Sequence, residues 1–275
     1  MKKFVISDLF RILILFFLPI TTFIFIPRNA FALRPFVTTD ADVVEKGKIE
    51  FEFGYFGIKE EKNPGTDELT IEFPDIRFNY GLLWDTELVL ETVGEFVDDR
   101  QKGSFKLREQ QFSDTAVFLK KIWHWGEGIV PNIATETGLL FPTERGGERI
   151  DFEGTGIFTW ELKDVTFHTT IGGATERKRR AKMLGDEEIE VEETRGVLIY
   201  GGIVDYEVSK AKGLHLVSEY SLEKVEKQNI EHQVLGGIVW EGPWNIEFDA
   251  ATFWGLNSDS IDWGMTTGVT ILIGK

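Results

Sequence analysis

Between Lys48 and Ile58 the chain alternates: Ile49, Phe51, Phe53 and Tyr55 fall on one side of an extended strand, and Glu50, Glu52 and Gly54 on the other. Period two with charge confined to one face marks a strand that is apolar on one side only. The C-terminal segment repeats the pattern, with Ile261, Trp263, Met265, Thr267, Val269, Ile271 and Ile273 opposed to Asp262, Gly264, Thr266, Gly268, Thr270 and Leu272. So does the segment before it, where Trp244, Ile246, Phe248 and Ala250 alternate with Asn245, Glu247 and Asp249.

Cutting the chain at its turn signals yields about twelve such segments, near 47–58, 67–80, 85–96, 107–122, 129–141, 150–161, 164–175, 192–207, 213–223, 229–240, 243–254 and 261–273. Each has roughly ten residues or more, enough to cross a bilayer at a tilt. The connections alternate in length. Gly81 to Trp84, Trp123 to Gly128, Leu162 to Lys163, Ser209 to Lys212 and Glu241 to Gly242 are short, and the others are mostly longer and polar. All eight tryptophans sit at segment ends: Trp84, Trp123, Trp125, Trp160, Trp240 and Trp244 flank short connections, and Trp254 and Trp263 bracket a longer one. Two aromatic girdles, short periplasmic turns and long outer loops are the habit of an outer-membrane barrel. The pattern therefore predicts an all-β fold, a transmembrane antiparallel β-barrel of about twelve strands.

The first 32 residues predict the route. Lys2, Lys3 and Arg11 precede the apolar run Ile12 to Pro27, which ends in Ala30-Phe31-Ala32, the layout of a secretory signal peptide cleaved after Ala32. A membrane anchor needs ~20 apolar residues, and this run is shorter and broken by Pro19, Thr21 and Thr22. The expected organisation is a signal peptide at 1–32 and an outer-membrane barrel at 33–275.

Composition narrows the partners. There is no cysteine, hence no disulfide framework, and stability must come from strand closure and burial against lipid. Losing the signal removes four basic residues and Asp8, which moves the formal charge from −16 to about −19. Such acidity argues against nucleic acid as a partner. It also has to coexist with 23 phenylalanines and eight tryptophans; a barrel reconciles the two with lipid outside and charge inside. The expected partners are outer-membrane lipid, the barrel assembly machinery during biogenesis and a small-molecule solute, with no cofactor.

If the apolar residues face lipid, Glu50, Glu52, Glu91, Glu136, Glu219, Glu231, Glu247, Asp249 and Asp262 point inward, against fewer bases such as Arg77 and Lys120. A ring of carboxylates in a watery pore prefers cations. The alternative is a lumen filled by these acids and their partners as a structural core: eight-stranded barrels are filled, 16-stranded ones leave a channel, and twelve lies between. A surface hydrolase is a further class, its best pair being His232 with Ser221, neither in a recognisable nucleophile motif; no two histidines fall at metal-ligand spacing. A secreted β-sandwich would alternate as well, but with buried mid-strand tryptophans and shorter strands. Glu176 to Val191 reads as the longest loop, opening with Arg177-Lys178-Arg179-Arg180 and continuing into Asp186-Glu187-Glu188. Its basic half could engage anionic lipopolysaccharide, or the two halves could simply attract each other in solvent. Leu33 to Glu45 precedes the first strand and could fold into the periplasmic mouth as a plug.

Arg34-Pro35-Phe36-Val37-Thr38-Thr39-Asp40, followed by Glu45-Lys46-Gly47-Lys48 and an aromatic strand, resembles the mature N-terminus of outer-membrane proteins named for the meta-pathway of phenol degradation. The likeness continues through Ser113-Asp114, Phe141-Pro142-Thr143, Leu216-Val217-Ser218-Glu219 and Asn257 to Val269, in order along nearly the whole mature chain. The chain departs from that family in ending Ile271-Leu272-Ile273-Gly274-Lys275 where such barrels finish on an aromatic residue, and in lacking a Gly-Asp after Pro142-Thr143. The resemblance implies an outer-membrane barrel that passes small molecules, aromatic or apolar ones among them. It also points to Glu91 and Glu219, at positions acidic across that family, as first candidates for lumen function.

Overall fold

The computed structural model describes residues 34–36, 38–63, 66–101, 107–113, 115–143, 150–184 and 187–274. The expected signal peptide at 1–32 lies outside them. The described residues form β1 (Ile49–Asn63), β2 (Thr66–Gly81), β3 (Thr86–Gln101), β4 (Leu107–Phe112), β5 (Thr115–His124), β6 (Asn132–Phe141) and β7 (Asp151–Leu162). These are followed by β8 (Val165–Leu184), β9 (Glu187–Ser209), β10 (Leu214–Val225), β11 (Ile230–Glu241), β12 (Ile246–Gly255) and β13 (Trp263–Ile273).

Every neighbouring pair is antiparallel, and β13 pairs back onto β1 over Ile49↔Ile273 to Lys59↔Trp263, closing the sheet. β4 and β5 are one stave in two pieces: β3 pairs with β5 over Thr86 to Glu91 and with β4 over Gly94 to Asp98. The closed wall therefore has twelve staves, and closure leaves no free edge, as a bilayer demands. A β-sandwich is ruled out by that closure.

The alternation read from the sequence is the alternation of the wall. Leu90, Leu119, Leu139, Leu216, Ile238 and Met265 are exposed on the outside, whereas Glu50, Glu52, Lys120, Glu136, Glu219 and Thr270 are buried inside. Charge within and hydrocarbon without resolves the conflict between acidity and aromatic content. Trp84, Trp123, Trp125, Trp160, Trp240 and Trp244 gather at the end carrying the short turns, with Trp254 opposite Trp263 at the other end. Two of those turns run through consecutive left-handed residues, Trp84-Asp85 (φ 61° and 52°) and Trp244-Asn245 (φ 67° and 57°), which reverse the chain tightly.

One expectation is overturned. The segment 176–191 is no loop: β8 and β9 extend to 20 and 23 residues and stay in register to Leu184↔Glu187. Their backbone pairing sets Lys178 opposite Glu193 and Arg179 opposite Glu192, whereas Glu187 and Glu188 of the acidic run fall opposite Leu184 and Met183. Beyond the bilayer a strand needs no apolar face.

Candidate functional site: a plugged lumen

Residues 34–36 and 38–44 run inside the barrel. The segment leaves β1 at the short-turn end, where the Gly47 amide donates to the Gly81 carbonyl (2.8 Å) and the Gly81 amide to the Lys48 carbonyl (3.1 Å). It then climbs the lumen, held by wall side chains at successive levels. The Val44 amide donates to Glu87 on β3, and the Ala41 amide to Thr159 Oγ1 on β7 (3.0 Å). Asp40 Oδ1 takes Lys120 Nζ of β5 at 2.9 Å, and Glu219 Oε1 of β10 accepts from both the amide (2.9 Å) and the hydroxyl (2.6 Å) of Thr38. At the top Arg34 pairs with Asp75, donates to Thr266 Oγ1 (2.7 Å) and approaches Asp249 Oδ2 (3.6 Å). The plug foreseen at the mouth thus reaches past it, to the level of Gly54 on β1.

The plug sits in room left by small wall residues. A Cβ on Gly54 would collide with the Arg34 guanidinium, and one on Gly201 would lie 3.0 Å from Thr38 Cβ and closer still to its methyl. Ala41 is fully buried among Ile122, Ala134 and Ile157. Beside these neighbours, burial pushes the Asp42 carboxyl up to about 7, with Asp40 adding to the rise, Lys120 opposing it, and Glu161 and Glu87 adding further.

The inward acids take specific partners. Arg77 on β2 spans three staves, pairing with Glu91 of β3 and, at 2.9 Å, Glu136 of β6, with Glu52 of β1 at 3.6 Å. Asn79 donates to Glu50 (3.0 Å) and Glu52 (2.9 Å). Glu91 therefore faces a guanidinium, Glu219 holds the plug, and Glu247 is buried on the inner face of β12. Asp262 lies in the exposed turn before β13, its amide donating to the Lys59 carbonyl (3.1 Å), and Glu231 is exposed near the start of β11.

Ser221 and His232 are not brought together as a nucleophile and base. Ser221 is opposite Gln233, and Leu222 is opposite His232, which puts the two side chains on opposite faces of the wall; His232 Nδ1 instead meets the Tyr220 hydroxyl at 2.6 Å. Among the described residues no group of three or more His, Asp or Glu side chains is arranged to hold a metal ion.

Part of the inner wall, on β10, β11, β12 and β1, is apolar. Val217, Leu235, Val239, Ala251 and Phe253 form a buried cluster, against which Phe56, Ile58, Ile261 and the plug residue Phe36 pack. Phe56 and Phe253 stack with centroids 4.5 Å apart. Sequence alternation assigned acids to the inner face and missed this apolar patch, and Ile261, expected on the lipid-facing side, packs against it. Nor did alternation give the plug's anchors, Thr38 and Glu219 being 181 residues apart, although the segment's place before the first strand suggested a plug.

Comparison of the sequence with protein-family models and with curated proteins finds no match. Among solved structures, the chain superposes on an outer membrane channel from Pseudomonas putida F1 with a TM-score of 0.59 and 8% identity, over 85% of this chain and 98% of that one. The β domain of the Bordetella autotransporter Brka gives 0.55 and 11%, over 82% and 99%. The translocator domain of autotransporter NalP from Neisseria meningitidis gives 0.53 and 8%, over 82% and 87%. The fold is that of an outer-membrane β-barrel.

Proposed function

We infer that this protein is an outer-membrane channel for small molecules whose path is closed by its own N-terminal segment. The observation that carries the reading is the nature of the filling. Alongside the inward wall side chains, the lumen holds an irregular segment tied to the wall by hydrogen bonds and ion pairs, so its departure would widen the passage. The apolar cluster around Phe56 and Phe253, together with the resemblance to proteins of phenol degradation, favours solutes with an aromatic or apolar part. The inward acids outnumber the inward bases and favour cations over anions once the passage is open. The pair considered for a hydrolase, Ser221 and His232, lies on opposite faces of the wall, and the proposed role is passage rather than catalysis.

The test is conductance in planar bilayers under a salt gradient, comparing the refolded mature chain with a variant lacking residues 33–45, each shown to be folded by heat-modifiable migration. The deletion is expected to produce larger, cation-selective openings. A folded deletion variant as silent as the full chain would overturn the reading and favour a structural barrel.

A further inference from the structure

The plug's tip, Arg34-Pro35-Phe36, occupies two adjoining sites that belong to the wall. The first is a socket for a planar cation. Asp75 of β2, Asp249 of β12, Thr266 Oγ1 and the carbonyls of Tyr55 (3.4 Å) and Thr267 (3.3 Å) surround the Arg34 guanidinium. Its floor is the paired glycines Gly54 and Gly268 of β1 and β13, where a Cβ at either would strike Arg34. The second site is the apolar cluster that receives Phe36. The two abut along the strands: Phe56 follows Gly54 by two residues on β1, and Ala251 follows Asp249 by two on β12, so in each strand they are successive inward positions.

Arg34 does not saturate its socket. Its Nε and Asp249 Oδ1 are both buried without a hydrogen-bond partner, Asp249 being 95% buried. When the segment leaves, Asp75 and Asp249 remain in the wall as carboxylates deprived of their cation, which is costly unless water or another cation replaces it. A cation with an aromatic ring one short link away would refill both sites at once.

The geometry points to a binding site for arylalkyl guanidinium or amidinium solutes, with the plug's tip acting as a tethered self-ligand that such a solute displaces. This rests on the reading of the lumen as a solute path and names the solute class and the trigger for opening it. A site blocked most of the time by its own chain shows an affinity reduced by the fraction left open, so removing the two tip side chains must unmask it.

The experiment is calorimetric titration of the full mature chain in lipid nanodiscs with benzylguanidinium, benzyl alcohol and benzoate. The Arg34→Ala/Phe36→Ala variant is expected to bind benzylguanidinium at least tenfold more tightly than the wild type. Adding Asp249→Asn should reverse that gain at least tenfold, and the neutral and anionic probes should bind at least tenfold more weakly. A second measurement keeps the native tip: in the otherwise cysteine-free chain, thiol labelling of Thr38→Cys should accelerate at least tenfold with saturating benzylguanidinium and not with benzoate. Equal binding of all three probes, or labelling indifferent to benzylguanidinium, would overturn the inference. Conductance separates the two readings: a deletion variant that conducts without cation preference in binding leaves the channel standing and the site refuted, and a binding barrel that never conducts does the reverse.

Discussion

Replacing Glu219 by alanine should open the channel. Glu219 is 98% buried, and a single oxygen, Oε1, accepts from both the Thr38 amide at 2.9 Å and the Thr38 hydroxyl at 2.6 Å. Hydrogen bonds to a charged group contribute about 1.5–3 kcal/mol each. Water entering the vacated space recovers part of that, which leaves a net weakening of plug seating of about 2–4 kcal/mol. At about 1.4 kcal/mol per factor of ten, the ratio of released to seated plug rises roughly 30- to 1,000-fold. Single-channel recording reads this as the fraction of time spent open. Thr38→Val removes only the hydroxyl and should give a smaller rise. The double variant should fall short of the sum of the two singles by about 1–2 kcal/mol, because both changes remove one shared contact. Open fractions of Glu219→Ala at the wild-type level, or strict additivity with Thr38→Val, would refute the claim that this contact holds the plug.

Three further outcomes follow from the same geometry. Arg77→Met leaves Glu52, Glu91 and Glu136 facing one another without their shared cation; the barrel should lose about 3–5 kcal/mol in urea unfolding from lipid vesicles, and unchanged stability would mean those acids are fully hydrated. Gly264→Ala places a methyl 2.6 Å from the Gly57 carbonyl and into the buried Phe253 ring, so heat-modifiable migration should shift to lower temperature by the equivalent of about 1–3 kcal/mol of overpacking. Asp42 titrates near 7 when seated and near 3.8 when released. Its raised value weakens seating as pH climbs from about 4 to about 7 and adds nothing above that. The open fraction should be greater at pH 8 than at pH 5, and Asp42→Asn should flatten the dependence; an unaltered pH profile in that variant would contradict the assignment.

The wall was legible because lipid imposes a strict period. Each of the twelve expected segments overlaps a stave, and inward acids such as Glu50 and Glu247 follow from alternation alone. The failures have physical causes. Outside the bilayer the period is no longer enforced, so 176–191 looks like a charged loop although backbone pairing continues through it. The break between β4 and β5 falls inside one expected segment, 107–122, whose two parts pair with successive stretches of β3. The lumen is the least legible part. Glu52, Glu91 and Glu136 could be recognised as inward acids, but that Arg77 from a fourth stave joins them depends on the register of non-consecutive strands around the closed ring. Likewise the plug's anchors pair residues of 34–44 with staves from across the whole chain, and no local pattern encodes such contacts.

The central claim is that the N-terminal segment closes the passage from within, and a reversible cross-link tests it most directly. The chain has no cysteine of its own, and a Cβ at position 201 lies 3.0 Å from Thr38 Cβ, so a slight shift of the segment brings the pair to the roughly 3.5–4.5 Å of a disulfide. Thr38→Cys and Gly201→Cys would be introduced together into the Glu219→Ala background. Conductance should be silent after oxidation and return on reduction. A channel that conducts equally in both states would show that the segment does not gate the lumen.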